Sequence, residues 1–377
     1  MRLLPSFFLV EIAKAPLPRL LIEALSSIEV ETAVGRASMV RLSFDLSRDF
    51  LGDYDAVALP IFRPNTPLTI RLALGLPIPF ALVNAYVTEA RLLGSNDPGR
   101  SILEVVAADA LGTLLGQRRA PKTWPNCPDS VVAAAIFASY GIIPDVIPTP
   151  PQRTMLDTTT TQRSSDSVYL AQLAGRNGYD LFIAPEPLSG RDMGHFRPPL
   201  TLPVPQGVLS IDFGRQTNLR SFNAYNDMQR PTSMQGFTSE PKTRAPLPYR
   251  APIATEMPMG AEPSLLRILP PPVDRMAATD AASPQEAQSA AMAHATASSR
   301  AVNCSGEIDG IKFARALRCG ETVLVRGAGR ENSGLYYVDS VTHRISRDDY
   351  AQSFTGWRNA VGLTGAEIFI DPFAAIA

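Results

Sequence analysis

Residues 333–362, SGLYYVDSVTHRISRDDYAQSFTGWRNAVG, have the pattern of two extended strands joined by a short polar turn. The first predicted strand runs from Leu335 to Ile345 and the second from Tyr350 to Arg358. Between them lie four residues that favour a tight, solvated connection: Ser346, Arg347, Asp348 and Asp349. The stretch is therefore predicted to be a β-hairpin, and its pattern occurs once before in the chain.

Three segments near the start of the chain match three near its end in order and spacing. The three early segments are LTIRLALG, LVNAYVTEARL and VAADALG. In the same order, they correspond to ETVLVRGAG, LYYVDSVTHRI and TGWRNAVG. Matched positions are 253 residues apart for Thr69 and Thr322, 251 for Tyr86 and Tyr337, and 250 for Asp109 and Asn359. This near-constant shift predicts that one small β-barrel design occurs twice.

The first copy is predicted to begin with a strand from Phe7 to Ala13. Residues 20–46 alternate as in two strands turned at Gly35, and further strands are predicted at 67–75, 80–93 and 100–112. The expected core positions in the turned pair are Ile28, Val30, Val40, Leu42 and Phe44.

Between the two copies the pattern changes to that of a small α/β insertion. A helix is predicted over 128–141, capped by Asp129 or Ser130, and a second over 164–178, followed by the strand YDLFIA. Residues 185–207 have the composition of a Pro/Gly-rich connection.

The predicted fold class is α+β, mainly β, with two duplicated tube-like β-barrel domains around this α/β insertion domain. The predicted units are a first barrel (1–115), the insertion (116–205), a second barrel (206–365) and an apolar C-terminal tail (366–377). Within the second barrel, residues 241–275 hold nine prolines and are predicted to form an extended arm. Ser283, Pro284 and Glu286 then open a predicted helix over 283–303.

Composition and charge narrow the function classes. The chain has 377 residues, of which 45% are hydrophobic and 19% charged, as in folded multidomain proteins. Its 35 basic and 36 acidic residues give a net charge of −1, so there is no general electrostatic basis for coating nucleic acid. The 34 prolines favour strands, turns and stiff linkers over helix bundles.

The cysteines and the N-terminus indicate a reducing compartment without membrane insertion. Cys127, Cys304 and Cys319 are odd in number and lack C-x-x-C spacing, which argues against a disulfide scaffold or structural zinc. The apolar start of the chain resembles a signal peptide but is interrupted by Pro5 and Glu11. No apolar stretch reaches the roughly 20 residues needed to cross a bilayer.

Candidate metal and nucleotide motifs are weak. The glycine-containing segment RGAGRENSG, 326–334, lacks a Lys-Ser/Thr pair and a following helix, and is interpreted as a hairpin turn. An acidic run lacks the ligand spacing of an EF-hand loop and is interpreted as a solvated loop: Asp45, Asp49, Asp53 and Asp55. No cofactor and no metal site are predicted.

Candidate catalytic residues are equally unmarked. His195, His294 and His343 have no partner at metal-ligand spacing, and no G-x-S-x-G elbow accompanies them. Glu307 and Asp309 lie at strand spacing on one face and are interpreted as interface or turn residues rather than a glycosidase pair.

The sequence resembles a known family at several points together. It resembles the phage late control D proteins in four features: LAQLAGRNGYDLFIA (170–184), the duplicated barrels, GEIDG (306–310) and the closing hairpin with RNAVG. These proteins are baseplate hubs of contractile tails, similar to the N-terminal hub part of VgrG. The likeness covers about residues 5–365.

The resemblance implies a structural protein: a homotrimeric ring with two barrels per chain, giving pseudo-sixfold symmetry. Such a ring joins a hexameric tail tube ring to a threefold spike and encloses the central channel. The chain lacks the oligonucleotide-binding fold and needle of VgrG, so the spike is expected to be a separate trimer. Other baseplate proteins, and a tape measure protein in the lumen, are further expected partners.

The expected location is the virion tail baseplate, assembled in the bacterial host cytoplasm. No sequence-specific nucleic acid and no stable membrane insertion are expected. An alternative is a tail-tip cell-wall (peptidoglycan) hydrolase. It would clear peptidoglycan in zymography, and a Glu307→Gln or Asp309→Asn variant would lose that clearing. An effector adaptor is a weaker option. The sequence leaves open whether the apparatus is a phage or a domesticated injection system.

Overall fold

A computed structural model gives the fold. It describes residues 7–48, 53–54, 61–74, 79–97, 99–117, 121–149, 161–187, 189–201, 204–240, 243–252, 256–267, 272–275, 283–347 and 349–370. The chain is mainly β with few helices, which confirms the α+β, mainly β part of the prediction. No helix in these residues is both long enough and apolar enough to span a bilayer.

The secondary structure follows three stretches of the chain. The first forms β1 (Phe7–Ile12), β2 (Ala15–Pro16), α1 (Arg19–Ala24), β3 (Leu25–Ala33), β4 (Met39–Leu46), β5 (Pro67–Ala73), β6 (Phe80–Leu93) and β7 (Ser101–Ala108). The second forms β8 (Lys122–Thr123), α2 (Asp129–Ser139), β9 (Ile143–Val146), β10 (Thr161–Gln162), α3 (Asp166–Asn177), β11 (Asp180–Pro185) and β12 (Asp192–Arg197).

The third stretch contains the closing hairpin. It forms β13 (Val208–Ser210), β14 (Leu219–Asn226), β15 (Ser233–Ser239), β16 (Pro246–Ala251), β17 (Glu262–Pro263), β18 (Val273–Asp274), α4 (Pro284–Ser299), β19 (Val302–Asp309), α5 (Gly310–Phe313), β20 (Thr322–Arg326), α6 (Gly329–Asn332), β21 (Gly334–Ser346), β22 (Tyr350–Arg358) and β23 (Ala360–Val361). The predicted hairpin is confirmed, since β21 and β22 pair antiparallel from Tyr337↔Trp357 to Ile345↔Tyr350.

One continuous sheet joins both ends of the chain. Its order is β14-β19-β22-β21-β3-β4-β7-β6-β5-β1-β2, and β20 and β13 attach in turn beside β21. The seam between the N-terminal and C-terminal strands is the pairing of β21 with β3, from Ser340↔Ala33 to Ser346↔Ser27. The two ends of the sequence are therefore one structural body at this seam.

The sheet contains two sets of six strands with the same spatial order. The N-terminal set is β3-β4-β7-β6-β5-β1, and the C-terminal set is β14-β19-β22-β21-β20-β13. Neighbours are antiparallel in both sets, except that β13 runs parallel to β20 whereas β1 runs antiparallel to β5.

The two sets also share the positions of their irregularities. A β-bulge between Val87 and Glu89 on β6 has its counterpart between Val338 and Ser340 on β21, a shift of 251 residues. A second irregularity between Leu25 and Ser27 on β3 recurs between Leu219 and Ser221 on β14, a shift of 194 residues. Because a bulge disrupts pairing at one residue, these positions give a residue-level alignment of the two sets.

Each set has its own apolar core. All five predicted core residues of β3 and β4 are fully buried in the N-terminal cluster: Ile28, Val30, Val40, Leu42 and Phe44. A separate cluster lies beneath the C-terminal set and includes Val323, Tyr336, Val338 and Phe354. The middle stretch packs α2 and α3 on the β11-β12-β9 sheet around a third cluster.

Some local predictions were wrong. Pro128, not Asp129 or Ser130, is the N-cap of α2, and no side chain caps it. The 19–24 segment is the helix α1 rather than the start of a strand. The connection 185–207 contains the strand β12, which pairs antiparallel with β11 and whose Gly194 lies against the ring of Phe137 in α2.

The proline-rich segment 241–275 is only partly an arm. Pro246 and Pro248 lie within β16, which pairs with β15 along one side, so this part of the predicted arm is a strand. Proline is tolerated there because β16 is the edge of its three-stranded sheet and needs no donor on its outer side. The helix α4 covers this sheet, with Ser283 Oγ accepting from Glu286 N at 3.2 Å as predicted, and it ends at Ser299.

Candidate assembly surface

The main sheet has one apolar and one polar face. Along β4 the residues alternate between exposed or half-buried and fully buried, and the buried ones enter the core. The opposite face carries charged residues on the N-terminal strands and hydroxyl or amide residues on the C-terminal strands. This polar face, which consists of the outward residues of β14, β19, β22, β21, β3, β4, β7 and β6, crosses the seam without interruption.

The charged part of the polar face is neutralised within the chain. Arg41 bridges Glu29 at 3.4 Å and Glu104 at 3.0 Å. Arg91 contacts Glu89 at 2.6 Å and Glu104 at 3.6 Å. These residues form one ion-pair network across β3, β4, β7 and β6, and Arg344 of β21 joins it across the seam at 3.4 Å from Glu29.

The C-terminal part of the polar face is mostly uncharged. Its outward side chains are small and polar on neighbouring strands: Ser221, Asn223, Ser305, Ser340, Thr342, Ser353 and Thr355. Ser340 and Thr355 hydroxyls lie 2.7 Å apart. At the edge, Arg220 bridges Glu307 at 3.1 Å and Asp349. The face therefore presents hydrogen-bonding groups but little uncompensated charge.

His343 lies in the seam, fully buried between β3 and β22. Its Nδ1 is 2.9 Å from the Tyr350 hydroxyl, whose ring stacks on it. Burial, which disfavours the imidazolium, lowers the pKa of His343 to about 3, with Arg318 adding to the effect. The side chain is thus a neutral packing residue of the seam.

We expect His343 to remain neutral at pH 5 in the folded protein. The unfolded chain binds this proton near pH 6.5 and the folded chain near 3, so this residue lowers the free energy of unfolding as pH falls from 6.5 towards 3. Asp109 and Asp180 act in the opposite direction, since burial raises the pKa of each to about 6 and the folded state keeps their protons. NMR of labelled histidine, assigned with a His343→Gln variant, measures the residue directly. An imidazolium signal from His343 at pH 5 would contradict this assignment.

A buried arginine anchors the end of β22. Arg358 is fully buried and donates from Nη1 to Ser333 O at 2.9 Å and from Nη2 to Met259 O at 3.0 Å and Gly362 O at 2.6 Å. Its guanidinium also lies 5.3 Å from the centre of the Tyr336 ring. Burial lowers the pKa of Arg358. The side chain joins three chain segments at the polar edge of the core.

Asn359 and Asp109 directly follow the equivalent strands β22 and β7, and each hydrogen-bonds to backbone groups. Asn359 accepts from Met259 N at 2.8 Å and donates to Met257 O at 3.0 Å. Asp109 accepts from Ser38 N at 2.8 Å and from Gly112 N at 3.1 Å. In each set a short polar side chain at the end of this strand therefore holds a distant backbone segment, residues 257–259 for Asn359 and Ser38 for Asp109.

The candidate catalytic residues are not brought together into a reactive site. His195 Nδ1 is 2.7 Å from Asp145 Oδ2, and its ring stacks on Phe182 at 4.4 Å. It lines a cavity of about 220 Å³ together with His343 and Cys319, so two of the three candidate histidines share this cavity. Burial raises the pKa of the Cys319 thiol to about 12, so the cysteine is not an activated nucleophile. His294 is exposed on α4.

The remaining candidates have local structural partners. Glu307 pairs with Arg220, and Asp309 caps α5 by accepting from Lys312 N at 3.1 Å. Asp45 is exposed and Asp53 accepts from Tyr54 N, whereas Asp49 and Asp55 lie outside the described residues. Among the residues that the structure describes, no cluster of three metal-ligating side chains occurs, and the cysteines are free thiols.

The glycine-containing segment 326–334 connects β20 to β21 as a hairpin, in agreement with its interpretation, but it contains the one-turn helix α6, which the sequence did not predict. Gly327 has φ +86°, and a Cβ there would lie 2.0 Å from Ile211 O. Close backbone packing rather than anion binding therefore explains this glycine.

Part of the C-terminal tail is described. Ile368 and Ile370 are 70% and 72% exposed, and Arg326 Nη1 donates to Phe369 O at 3.3 Å. Residues 371–377 lie outside the described part. The side chains of both isoleucines are therefore largely exposed.

Comparison with solved structures identifies the fold. The 43 kDa tail protein of prophage MuSo2 from Shewanella oneidensis superposes with a TM-score of 0.66 at 11% identity, over 94% of this chain and 99% of that one. A tail protein from Neisseria meningitidis MC58 gives 0.59 at 10% identity, covering 95% and 98%. The chain has a phage tail protein fold.

A third structure comes from a secretion system. The E. coli c3393 protein is a component of the type VI secretion system with structural similarity to bacteriophage T4 tail proteins gp27 and gp5; it gives a TM-score of 0.58 at 12% identity, covering 93% of this chain and 76% of that one. No family model and no curated protein matches the sequence.

Proposed function

We propose that this chain is a non-enzymatic baseplate hub of a contractile phage tail or phage-tail-like injection system, acting as a homotrimer. The observation that carries the proposal is the pair of six-strand sets with one order and matching bulges. Two copies of a barrel per chain, in three chains, supply six similar modules to a ring. Such a ring can meet a sixfold tube on one side and a threefold spike on the other.

The polar face suits the wall of the central channel. It is continuous across the seam, and its arginines are paired with carboxylates of the same chain. A surface with few uncompensated cations gives phosphate groups little to bind, because phosphate contacts dominate nucleic-acid affinity. The face would therefore let a polyanion or a tape measure protein pass without holding it.

The proposed partners are a hexameric tail tube ring, a separate spike trimer and other baseplate proteins, in a virion tail baseplate assembled in the host cytoplasm. The exposed Ile368 and Ile370 are proposed to contact the spike, since fully burying such a side chain contributes roughly 1.5–3 kcal/mol. The proline-rich segment 241–275 is proposed to contact a neighbouring subunit or baseplate protein.

Electron microscopy of the purified chain, mixed with its tail tube and spike proteins, tests the proposal. We expect threefold rings with a central channel, stacked on tube hexamers. A chain ended after Gly365 should still form rings on the tube but lose the spike in a pull-down. A stable dimer as the assembled state would refute the hub, and a truncated chain that keeps the spike and only melts earlier would refute the tail contact alone.

A further inference from the structure

Within the described residues, the unpaired strand edges of the main sheet include one on β6 and one on β14. The first is the C-terminal half of β6: β5 pairs with β6 only up to Tyr86, and beyond the bulge β6 pairs with β7 on one side alone. The second is the outer edge of β14, the first strand in the sheet order, which pairs only with β19. Unpaired edges are ready sites for a further strand.

In the C-terminal set, the edge that corresponds to the free edge of β6 is paired with another strand. The strand β21, the counterpart of β6, pairs with β20 up to Tyr337 and then, beyond its own bulge, with β3. The strand β3 is the counterpart of β14. The free edges of β6 and β14 therefore correspond to the edges of β21 and β3, which pair with each other at the seam.

The bulge positions transfer the register of the seam to the free edges. Adding 194 to a residue of β3 gives its counterpart on β14, and subtracting 251 from a residue of β21 gives its counterpart on β6. The seam pair Arg344↔Glu29 becomes Leu93 opposite Asn223, and His343↔Val30 becomes Leu92 opposite Ala224.

We propose that β6 of one chain pairs antiparallel with β14 of a second copy, residues 90–95 lying opposite 226–221. The exposed apolar residues of these edges support the pairing. Leu92 and Leu93 are 49% and 52% exposed on β6, and Tyr225 is 65% exposed on β14. In the transferred register, Leu92 takes the position of His343, a side chain that is fully buried in the seam.

Electrostatics limit the pairing to this stretch. Continuing one residue further would place the carboxylates of Glu89 and Asp227 opposite each other. Glu89 already accepts two hydrogen bonds, of 2.6 and 2.7 Å, from Arg91 of its own strand. Asp227 N is bonded to Ala301 O, away from the edge. Arg91 itself lies opposite Tyr225, where a guanidinium can contact the phenol ring.

The contact joins the β6 edge of one chain to the β14 edge of the next, and every chain has both edges. Contacts of this kind generate rings when the rotation closes and open filaments when it does not. With the internal and external junctions equivalent, every module in the ring has the same two neighbours. The inference deepens the proposed homotrimer by naming its interface, and it rests on that proposal for the number of chains.

Engineered disulfides test the register. Val34 N donates to Asp339 O at 2.9 Å, which marks a hydrogen-bonded pair and makes Arg344↔Glu29 a non-hydrogen-bonded one. Non-hydrogen-bonded pairs bring Cα atoms to about 4.5 Å, which suits a disulfide. Leu93→Cys with Asn223→Cys, in a Cys127→Ser background, should therefore give covalent trimers on non-reducing gels after mild oxidation. The matched control is Leu93→Cys with Ala224→Cys, one residue out of register, because such a shift puts the second side chain on the opposite face.

The outcomes separate this inference from the proposed function. Cross-linked trimers in the first variant, at least tenfold more abundant than in the control, support the seam. Equal cross-linking in both variants, or no cross-link in particles that microscopy shows to be threefold rings, overturns the β6–β14 register and leaves the hub intact. If neither variant forms any ring with tail tube and spike present, both the interface and the hub are wrong.

Discussion

Replacing Arg358 with alanine is expected to lower the free energy of unfolding by roughly 3–5 kcal/mol, a severe loss for one side chain. The guanidinium satisfies three backbone carbonyls, those of Ser333, Met259 and Gly362. A buried carbonyl left without a donor costs about 1–3 kcal/mol, and the truncation also leaves a cavity. Equilibrium denaturation of the two proteins measures the difference.

Two further variants make the Arg358 prediction specific. Arg344→Ala removes an exposed arginine from the neighbouring strand, whose ion pair to Glu29 is worth roughly 0–1 kcal/mol. Arg358→Lys keeps the charge, but an ammonium cannot reproduce the planar fork, so most of the loss should remain. Similar denaturation midpoints for Arg358→Ala and Arg344→Ala would show that the buried anchor contributes little.

Gly320→Ala should be the second large effect, because this residue packs closely against Phe182 of β11. Gly320 has φ +78°, and a Cβ there would lie 2.4 Å from Cζ of Phe182 on β11. The left-handed conformation costs a side chain roughly 1–2 kcal/mol, and overpacking adds about 1–3 kcal/mol. We expect a total loss of roughly 2–5 kcal/mol in thermal or chemical denaturation.

Gly141→Ala is the matched control for Gly320→Ala. Gly141 has φ +74° but nothing within 4 Å of a built Cβ, so it reports the conformational cost alone. In the Gly320→Ala background, Phe182→Leu should recover part of the loss by removing ring atoms from the collision. Additive effects of the two substitutions would mean that Phe182 and Gly320 are not coupled in the way that the contact requires.

The two sets of strands show how one position can keep its role while its chemistry changes. Asp109 receives backbone donors on both carboxylate oxygens, whereas Asn359 meets one donor and one carbonyl. Replacing the acid by the amide is therefore not neutral at residue 109, although the amide is native at residue 359. The side chain is matched to the backbone groups that each loop presents.

The sequence by itself determined the strands of the hairpin, the core positions of β3 and β4, the helices α2 to α4 and the cap of α4. These are local properties: a period of two residues places alternate side chains in the core, and glycine or a hydroxyl ends or begins a helix. The resemblance to phage tail proteins rested on the same local patterns, and the fold shared with two tail proteins agrees with it at that level. The prolines of β16 misled because propensity cannot distinguish a free arm from an edge strand.

Only the tertiary structure decided which strands meet. The seam joins β3 to β21, more than 300 residues apart, and an alternating pattern says which face of a strand is buried but not which strand lies beside it. The same limit hid the role of Arg358, since its three carbonyl partners come from segments that the sequence separates by up to about 100 residues. Pairing and buried hydrogen bonds depend on long-range packing, whose free energy appears only when the whole sheet is assembled.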